Sequence, residues 1–254
     1  MTFDFKNKNV IITGGTRGIG KAAALLFAAS GANVILTYKS NTVAARQTLA
    51  ALAEGRHNIY QLDVSDPTAI EKFFNWYAEH YDKLEVLVNN AGVYLEHKIL
   101  ETGFENWRHS WDETLKANLT GPANMCFFAA VIMAKHHYGK IINISSRGAF
   151  RGEPDHPAYG ASKAGLNAMS QSLAIALAPK GISVHIIAPG FVETEMAEQA
   201  LTGTPGEAIK NQSPFGRVAK PEEVARLVAV YASDGLEFTT AGIIDINGAS
   251  YLRS

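Results

Sequence analysis

Near its start the chain runs from a short apolar strand, Val10-Ile11-Ile12-Thr13, straight into Gly14-Gly15-Thr16-Arg17-Gly18-Ile19-Gly20 and on into an alanine-rich helix. A strand that turns this tightly into a helix sends the helix back across its own sheet, so the next strand returns parallel to the first. The same alternation continues to the end of the chain. Apolar runs rich in β-branched residues fall at 10–13, 33–37, 59–62, 84–88, 140–144, 183–187 and 243–246. Each is apolar almost throughout, as strands covered on both faces are. Helical stretches lie between them at 18–29, 43–52, 68–80, 107–118, 122–136, 159–178 and 222–233. Asp66-Pro67 and Lys220-Pro221-Glu222-Glu223 mark two helix starts. The expected fold is α/β: a doubly wound, three-layer unit spanning 1–254, with about seven parallel strands and helices on both faces.

Composition removes other classes. The 254 residues are 47% hydrophobic, and 23 Lys+Arg balance 24 Asp+Glu, unlike a disordered chain. One cysteine, Cys126, forms no intramolecular disulfide and no multi-cysteine zinc site. No metal is expected. A net charge of −1 gives no reason to expect nucleic acid or an anionic membrane as partner. Met1–Lys6 lacks the basic and apolar segments of a secretory leader, and no single apolar run approaches the ~18 residues of a spanning helix. A soluble, cytoplasmic protein is expected.

The first turn suits a pyrophosphate. Its glycines allow close backbone approach, and the helix that follows offers unpaired N–H groups and the positive end of its dipole. The spacing is Gly14-x₃-Gly18-x-Gly20, with no Lys-Ser/Thr ending of a nucleotide-triphosphate loop. A dinucleotide is therefore expected. The second strand ends Thr37-Tyr38-Lys39-Ser40-Asn41, without the acid that accepts from an adenosine 2′-hydroxyl. No Asp or Glu occurs between Asp4 and Glu54, whereas Lys6, Lys8, Arg17, Lys21, Lys39 and Arg46 do. Arg17 and Lys39 are expected to pair with a 2′-phosphate, favouring NADP(H) over NAD(H).

Tyr159 and Lys163 are four apart on a predicted helix and share a face. An ammonium beside a phenol is expected to lower the phenol's pKa toward the working range. Tyr94-x₃-Lys98 has the same spacing, but Glu96 and His97 make that segment polar, and a surface pair is expected there. Strand 140–144 ends in Ser145-Ser146, at the carboxyl end of the sheet where α/β proteins bind ligands. Asn118 closes the predicted helix 107–118.

Taken in order, Thr13-Gly14-x₃-Gly18-Ile19-Gly20, Asn89-Asn90-Ala91-Gly92, Asn118, Ser146 with Tyr159-x₃-Lys163 thirteen positions on, and Pro189-Gly190 resemble the short-chain dehydrogenase/reductase family, in its short subclass. The resemblance implies a Rossmann-like fold and hydride transfer between a nicotinamide and a carbonyl or secondary alcohol. It implies Tyr159 as general acid, Ser146 on the substrate oxygen, and Lys163 on the nicotinamide ribose and beside the phenol. Asn118 would hold a kinked helix and a relay water. Cofactor contacts are implied at Gly14, Thr16, Arg17, Gly18, Ile19 and Gly20, and at Tyr38, Lys39 and Ser40. Further contacts fall at Asp63-Val64, at Asn90-Ala91-Gly92, and at Pro189, Gly190, Val192 and Thr194. Asp245-Ile246-Asn247-Gly248-Ala249 departs from the family's acidic-Gly-Gly ending.

Within the family the chain looks most like reductases of 3-oxoacyl thioesters on a carrier protein, and their relatives of other specificity. Residues 192–215, punctuated by Gly203, Pro205 and Gly206, are the expected substrate lid. Arg147, Arg151, Glu153, Asp155 and His156 either line a polar pocket or form a solvated rim. An acidic carrier calls for basic side chains near the cleft, with Lys135, His136, His137, Lys140 and Lys180 as candidates; the alternative is that they are exposed helix-end cations that suit the macrodipole. The family resemblance implies a homotetramer. Two other classes compete: a non-catalytic NADPH sensor, and a methyltransferase that shares a glycine-rich first turn.

Overall fold

The computed structural model describes residues 2–253; Met1, where the leader argument begins, and Ser254 lie outside them. Seven strands, β1 (Asn9–Ile12), β2 (Asn33–Tyr38), β3 (Asn58–Gln61), β4 (Val86–Asn89), β5 (Gly139–Ile144), β6 (Ile182–Pro189) and β7 (Ile243–Ile246), form one sheet. Their order is β3-β2-β1-β4-β5-β6-β7 and every neighbouring pair is parallel. All seven strand expectations hold to within two residues.

The helices in chain order are α1 (Gly18–Ala29), α2 (Thr42–Ala50), α3 (Pro67–His80), α4 (Phe104–Leu115), α5 (Gly121–Lys135), α6 (Pro157–Leu177), α7 (Glu195–Glu198), α8 (Gly203–Lys210) and α9 (Pro221–Ala232). Each strand serves two cores because successive side chains point to opposite faces. Val10, Ile12, Val34, Leu36, Val86 and Val88 pack under α1 and α9, against Phe27, Val224 and Val228. Ile11, Ile35, Leu87 and Ile141 face the other way, against Phe73 of α3 and Met125 and Ala129 of α5. Burying a phenylalanine contributes roughly 1.5–3 kcal/mol, so Phe27 and Phe73, both fully buried, anchor the two layers.

One helix boundary differs from expectation. The predicted helix does not stop at Asn118. A π-helical turn, Lys116–Thr120, joins α4 to α5. Pro122 lacks an N–H and its ring would press on the carbonyl four residues back. The wider turn accommodates it, with Gly121 N donating to Lys116 O. The extra residue also turns Asn118 inward, where it is fully buried. The joined helix, Phe104–Lys135, has 32 residues and a window of mean hydropathy 1.3. By length and composition alone it passes the test for a spanning helix, a test that the core helix of a soluble protein also passes. Here its Met125, Cys126, Ala129 and Met133 are buried against the sheet.

At the start of α9, Glu223 accepts from Lys220 N (2.8 Å) and from both terminal nitrogens of Arg217 (2.7 and 2.8 Å). The Arg217 bond, with the backbone bond from Lys220, holds the Glu223 carboxyl down to about 2. Stability from a depressed carboxyl is present above its ordinary value of 4.5 and is lost as pH falls through the folded value. Glu223→Gln is therefore expected to cost about 1 kcal/mol at neutral pH, the loss of a helix cap and an exposed ion pair. Melting temperatures of variant and parent should converge as pH falls from 4.5 through about 2.

Candidate active site

The direction of winding reverses between β1 and β4, and ligands in such sheets bind outside the carboxyl ends at that point. A cleft of about 420 Å³ opens there. Every cofactor and catalytic position expected from the sequence lines it except two, Gly20 and Asn118, which stand behind its wall.

The glycine loop is held by the β4 loop. Thr13 Oγ1 accepts from Asn90 N and Ala91 N, both at 3.0 Å, and Asn90 Nδ2 donates to Thr13 O and Gly14 O, also at 3.0 Å. Gly14 and Gly18 take left-handed backbone angles (φ 61° and 50°). A methyl on Gly20 would lie 2.4 Å from Gly14 O and 2.6 Å from Asn90 Nδ2. Helix α1 then begins with no side-chain cap and no acid in its first turn. Its free N–H groups face the loop, which fits a phosphate-bearing ligand.

At the far end of the loop, Arg17 and Lys39 line the cleft beside Tyr38 and Ser40. Each is engaged with a carboxylate: Arg17 Nη1 with Glu195 (3.1 Å), and Lys39 Nζ with Asp63 (2.7 Å). Burial pushes the Asp63 carboxyl up, but the Lys39 and Ser65 bonds together bring it below its ordinary value. Asp63 is thus both a cleft residue, as expected, and the partner of a cation expected to serve a phosphate.

Ser146 follows β5, and Tyr159 and Lys163 lie one turn apart on α6. Ser146 Oγ accepts from Gly148 N (3.0 Å), which fixes the turn after the strand. Lys163 is buried, and its Nζ donates to Ile144 O (2.8 Å) while lying 5.8 Å from the Tyr159 ring centroid. Burial lowers its pKa to about 8. Burial pushes the Tyr159 phenol up to about 12, with the Ser146 hydroxyl acting in the opposite sense. The phenol is thus not lowered as expected: desolvation and the Glu153 charge raise it, and Lys163 spends its bond on a carbonyl. Asn118 Oδ1 accepts from Val93 N (2.8 Å), and its Nδ2 donates to Val93 O (2.9 Å) and Ser162 Oγ (3.3 Å). It pins the β4 loop to the π turn.

Tyr94 is not half of a surface pair. Residues 90–98 are not helical, so the four-residue spacing creates no shared face. Lys98 pairs with Glu96 and Glu101, while Tyr94 enters the cleft. Its ring stacks on His156 (3.7 Å, 11°) and meets Tyr159 edge-on (4.7 Å, 88°). Arg147 and Glu153 also line the cleft, which settles the open reading of that segment for these two residues. Phe191 and Met196 also line the cleft; Met196 lies in the expected lid segment, whereas Phe191 was not among the expected contacts.

The expected basic patch is elsewhere. Lys140 lies at the amino-terminal end of β5, opposite the cleft, is 1% exposed, and is paired with Glu237. Lys135, His136, His137 and Lys180 flank the amino-terminal ends of β5 and β6, also away from Ser146. A parallel strand separates its two ends by its own length, which charge counting in sequence does not register.

Known proteins share this architecture. A family model described as enoyl-(acyl carrier protein) reductase matches residues 14–248. The 3-oxoacyl-(acyl-carrier-protein) reductase FabG of Thermotoga maritima is 36% identical over 96% of this chain and 97% of its own length. That of Escherichia coli is 34% identical over 98% of this chain and 99% of its own. A dehydrogenase/reductase of Sinorhizobium meliloti 1021 superposes with TM-score 0.88 at 31% identity, covering 98% of this chain and 97% of that one.

Gly20→Ala should weaken binding of a nicotinamide dinucleotide by about tenfold or more, since the methyl must displace backbone and a pinned amide. Fluorescence titration with NADPH and NADH checks this, with circular dichroism expected unchanged.

Proposed function

The chain belongs to the short-chain dehydrogenase/reductase family, and within it we propose that it reduces a carbonyl to a secondary alcohol with NADPH, Tyr159 serving as general acid. Membership makes it an oxidoreductase of the carbonyl/alcohol class with a nicotinamide cofactor. The observation that carries the finer reading is the meeting of Ser146, Tyr159 and Lys163 in one cleft with the glycine loop. The names of the relatives favour a 3-oxoacyl thioester as substrate.

The cofactor, when bound, supplies a hydride to the carbonyl carbon. Gly14, Thr16, Gly18 and Ile19 with the α1 amino terminus would hold its pyrophosphate, while Gly20 gives the loop room. Arg17, Tyr38, Lys39 and Ser40 would hold the 2′-phosphate end, and Asp63 and Val64 the adenine. Asn90, Ala91 and Gly92 would pack on the ribose, and Pro189, Gly190, Val192 and Thr194 on the nicotinamide. Ser146 Oγ hydrogen-bonds the substrate oxygen and fixes its approach. Tyr159 Oη gives that oxygen its proton as negative charge develops there. A phenol pushed up to about 12 holds its proton throughout the neutral range, as an acid must. Lys163, charged below about 8, stabilises the phenolate left behind. Asn118 holds the β4 loop and the relay water that returns a proton toward Lys163. Residues 192–215 close over the substrate.

The reading extends to one unit spanning 1–254 that works in the cytoplasm as a homotetramer. Exposed Phe127 and Val131 on α5 and Ile175 on α6 support subunit contact through those helices. The sensor alternative is disfavoured because a binding-only protein has no use for the Ser146/Tyr159/Lys163 set.

Tyr159→Phe should lower kcat by about a hundredfold or more while NADPH still binds, as loss of a general acid does. Carbonyl reduction by the parent enzyme should decline as pH rises through about 8, where Lys163 loses its proton. Stopped-assay rates at 340 nm across pH check both. If Arg17 and Lys39 serve the 2′-phosphate, replacing both by Ala should lower the NADPH:NADH ratio of kcat/KM by about tenfold or more. An unchanged ratio would remove the assignment.

A further inference from the structure

Arg147 directly follows Ser146, lines the cleft and is only 4% exposed. A guanidinium has five N–H donors. Among the described residues two are used, on Ser250 Oγ (2.6 Å) and Gln212 Oε1 (2.8 Å), both neutral oxygens. The Phe191 ring lies against the group, 5.0 Å from Cζ. Arg151 reaches the same Gln212 oxygen at 3.5 Å, so two cations share one neutral acceptor. No carboxylate of the described residues lies within salt-bridge distance of either arginine.

A buried cation without a counter-ion is costly, and two neutral hydrogen bonds do not offset the lost solvation. The acid whose field reaches Arg147 is Glu153, which also lines the cleft. Burial raises its pKa while the fields of Arg151 and Arg147 lower it, and it forms no ion pair with either arginine. The Tyr94 hydroxyl stands 3.5 Å from Glu153 Oε2. Burial also draws the Arg147 pKa down, with Arg151 acting in the same sense.

We propose that Arg147 determines substrate specificity by binding an oxyanion carried by the substrate itself, a few atoms from the carbonyl that Ser146 and Tyr159 engage. An acyl chain ending in an alkyl group leaves this cation unpaired; a short oxo compound bearing a carboxylate or phosphate pairs it through a forked, charge-assisted contact. Glu153 and Tyr94 then bound the pocket on the other side and suit a hydroxyl donor. The inference rests on the carbonyl-reductase reading of the same cleft.

The test uses two matched pairs. For the carboxylate source these are 3-oxobutanoate and its methyl ester; for the phosphate source, hydroxyacetone phosphate and hydroxyacetone. In the parent enzyme at least one anion should exceed its neutral partner in kcat/KM by about tenfold or more, the pair naming the source. Arg147→Met should abolish that preference, mainly through KM for the anion, and Arg147→Lys should restore part of it. Gln212→Ala and Ser250→Ala loosen only the clamp and should leave the anion:neutral ratio unchanged. Thermal melting of each variant identifies any that does not fold. The proposal is overturned if neutral partners do as well as anions in both pairs, or if Arg147→Met lowers both members equally. If nothing is turned over with either nicotinamide, the reductase reading fails separately. Calorimetric titration of the same four compounds into the NADP⁺-saturated protein then decides the matter. Anion binding lost in Arg147→Met supports the site, and no anion preference overturns it.

Discussion

Four hydrogen bonds between Thr13-Gly14 and Asn90-Ala91 govern the rest of the site. They join the loop after β1 to the loop after β4 at the place where the sheet's winding reverses. The glycine loop takes left-handed angles at Gly14 and Gly18 that glycine adopts freely, so a single loop shape has to be held from outside. Asn90 does this from one side. From the other, Asn118 ties Val93 of the same β4 loop into the middle of a long helix. Phosphate cradle, β4 loop and π turn thus form one connected frame, and α6 presents Tyr159 and Lys163 to it.

Buried cations are managed in three ways. Lys140 sits at the amino-terminal end of the interior strand β5 and is neutralised by Glu237, and its field joins burial in pushing nearby His185 down to about 4. Lys163 has a backbone carbonyl and no acid, and its affinity for a proton falls accordingly. Arg147 cannot give up its proton, so its imbalance stays as a standing positive field in the cleft. The first arrangement is structural. The other two leave charge where ligands bind, and groups perturbed in that way cluster at working sites.

How much of this was legible in the residues follows from what each signal depends on. Strands covered on both faces write themselves as unbroken apolar runs, so all seven were placed. The glycine loop was legible because strand, glycines and helix start coincide in one short stretch. The join of α4 to α5 was not, because Gly121-Pro122 reads locally as a break, and only the π turn shows how a helix passes through it. The place of Tyr94 is not legible for another reason: Glu96 and His97 make its segment read as polar surface, while the tertiary structure turns Tyr94 into the cleft. The basic residues were assigned to the cleft by charge alone, although β5 carries Lys140 at the opposite end from Ser146.

By itself the sequence determined the α/β alternation, the phosphate-suited turn, and the set of residues that could supply acid, base and cofactor contacts. These depend on periodicity and on local backbone chemistry, which are properties of neighbours in the chain. Only the tertiary structure decided that Tyr94, Arg147 and Glu153 share the cleft with the glycine loop, that Lys39 faces Asp63, and that burial raises the Tyr159 phenol. Solvation and charge pairing depend on groups far apart in the chain, and no local pattern encodes how deeply a side chain is withdrawn from water.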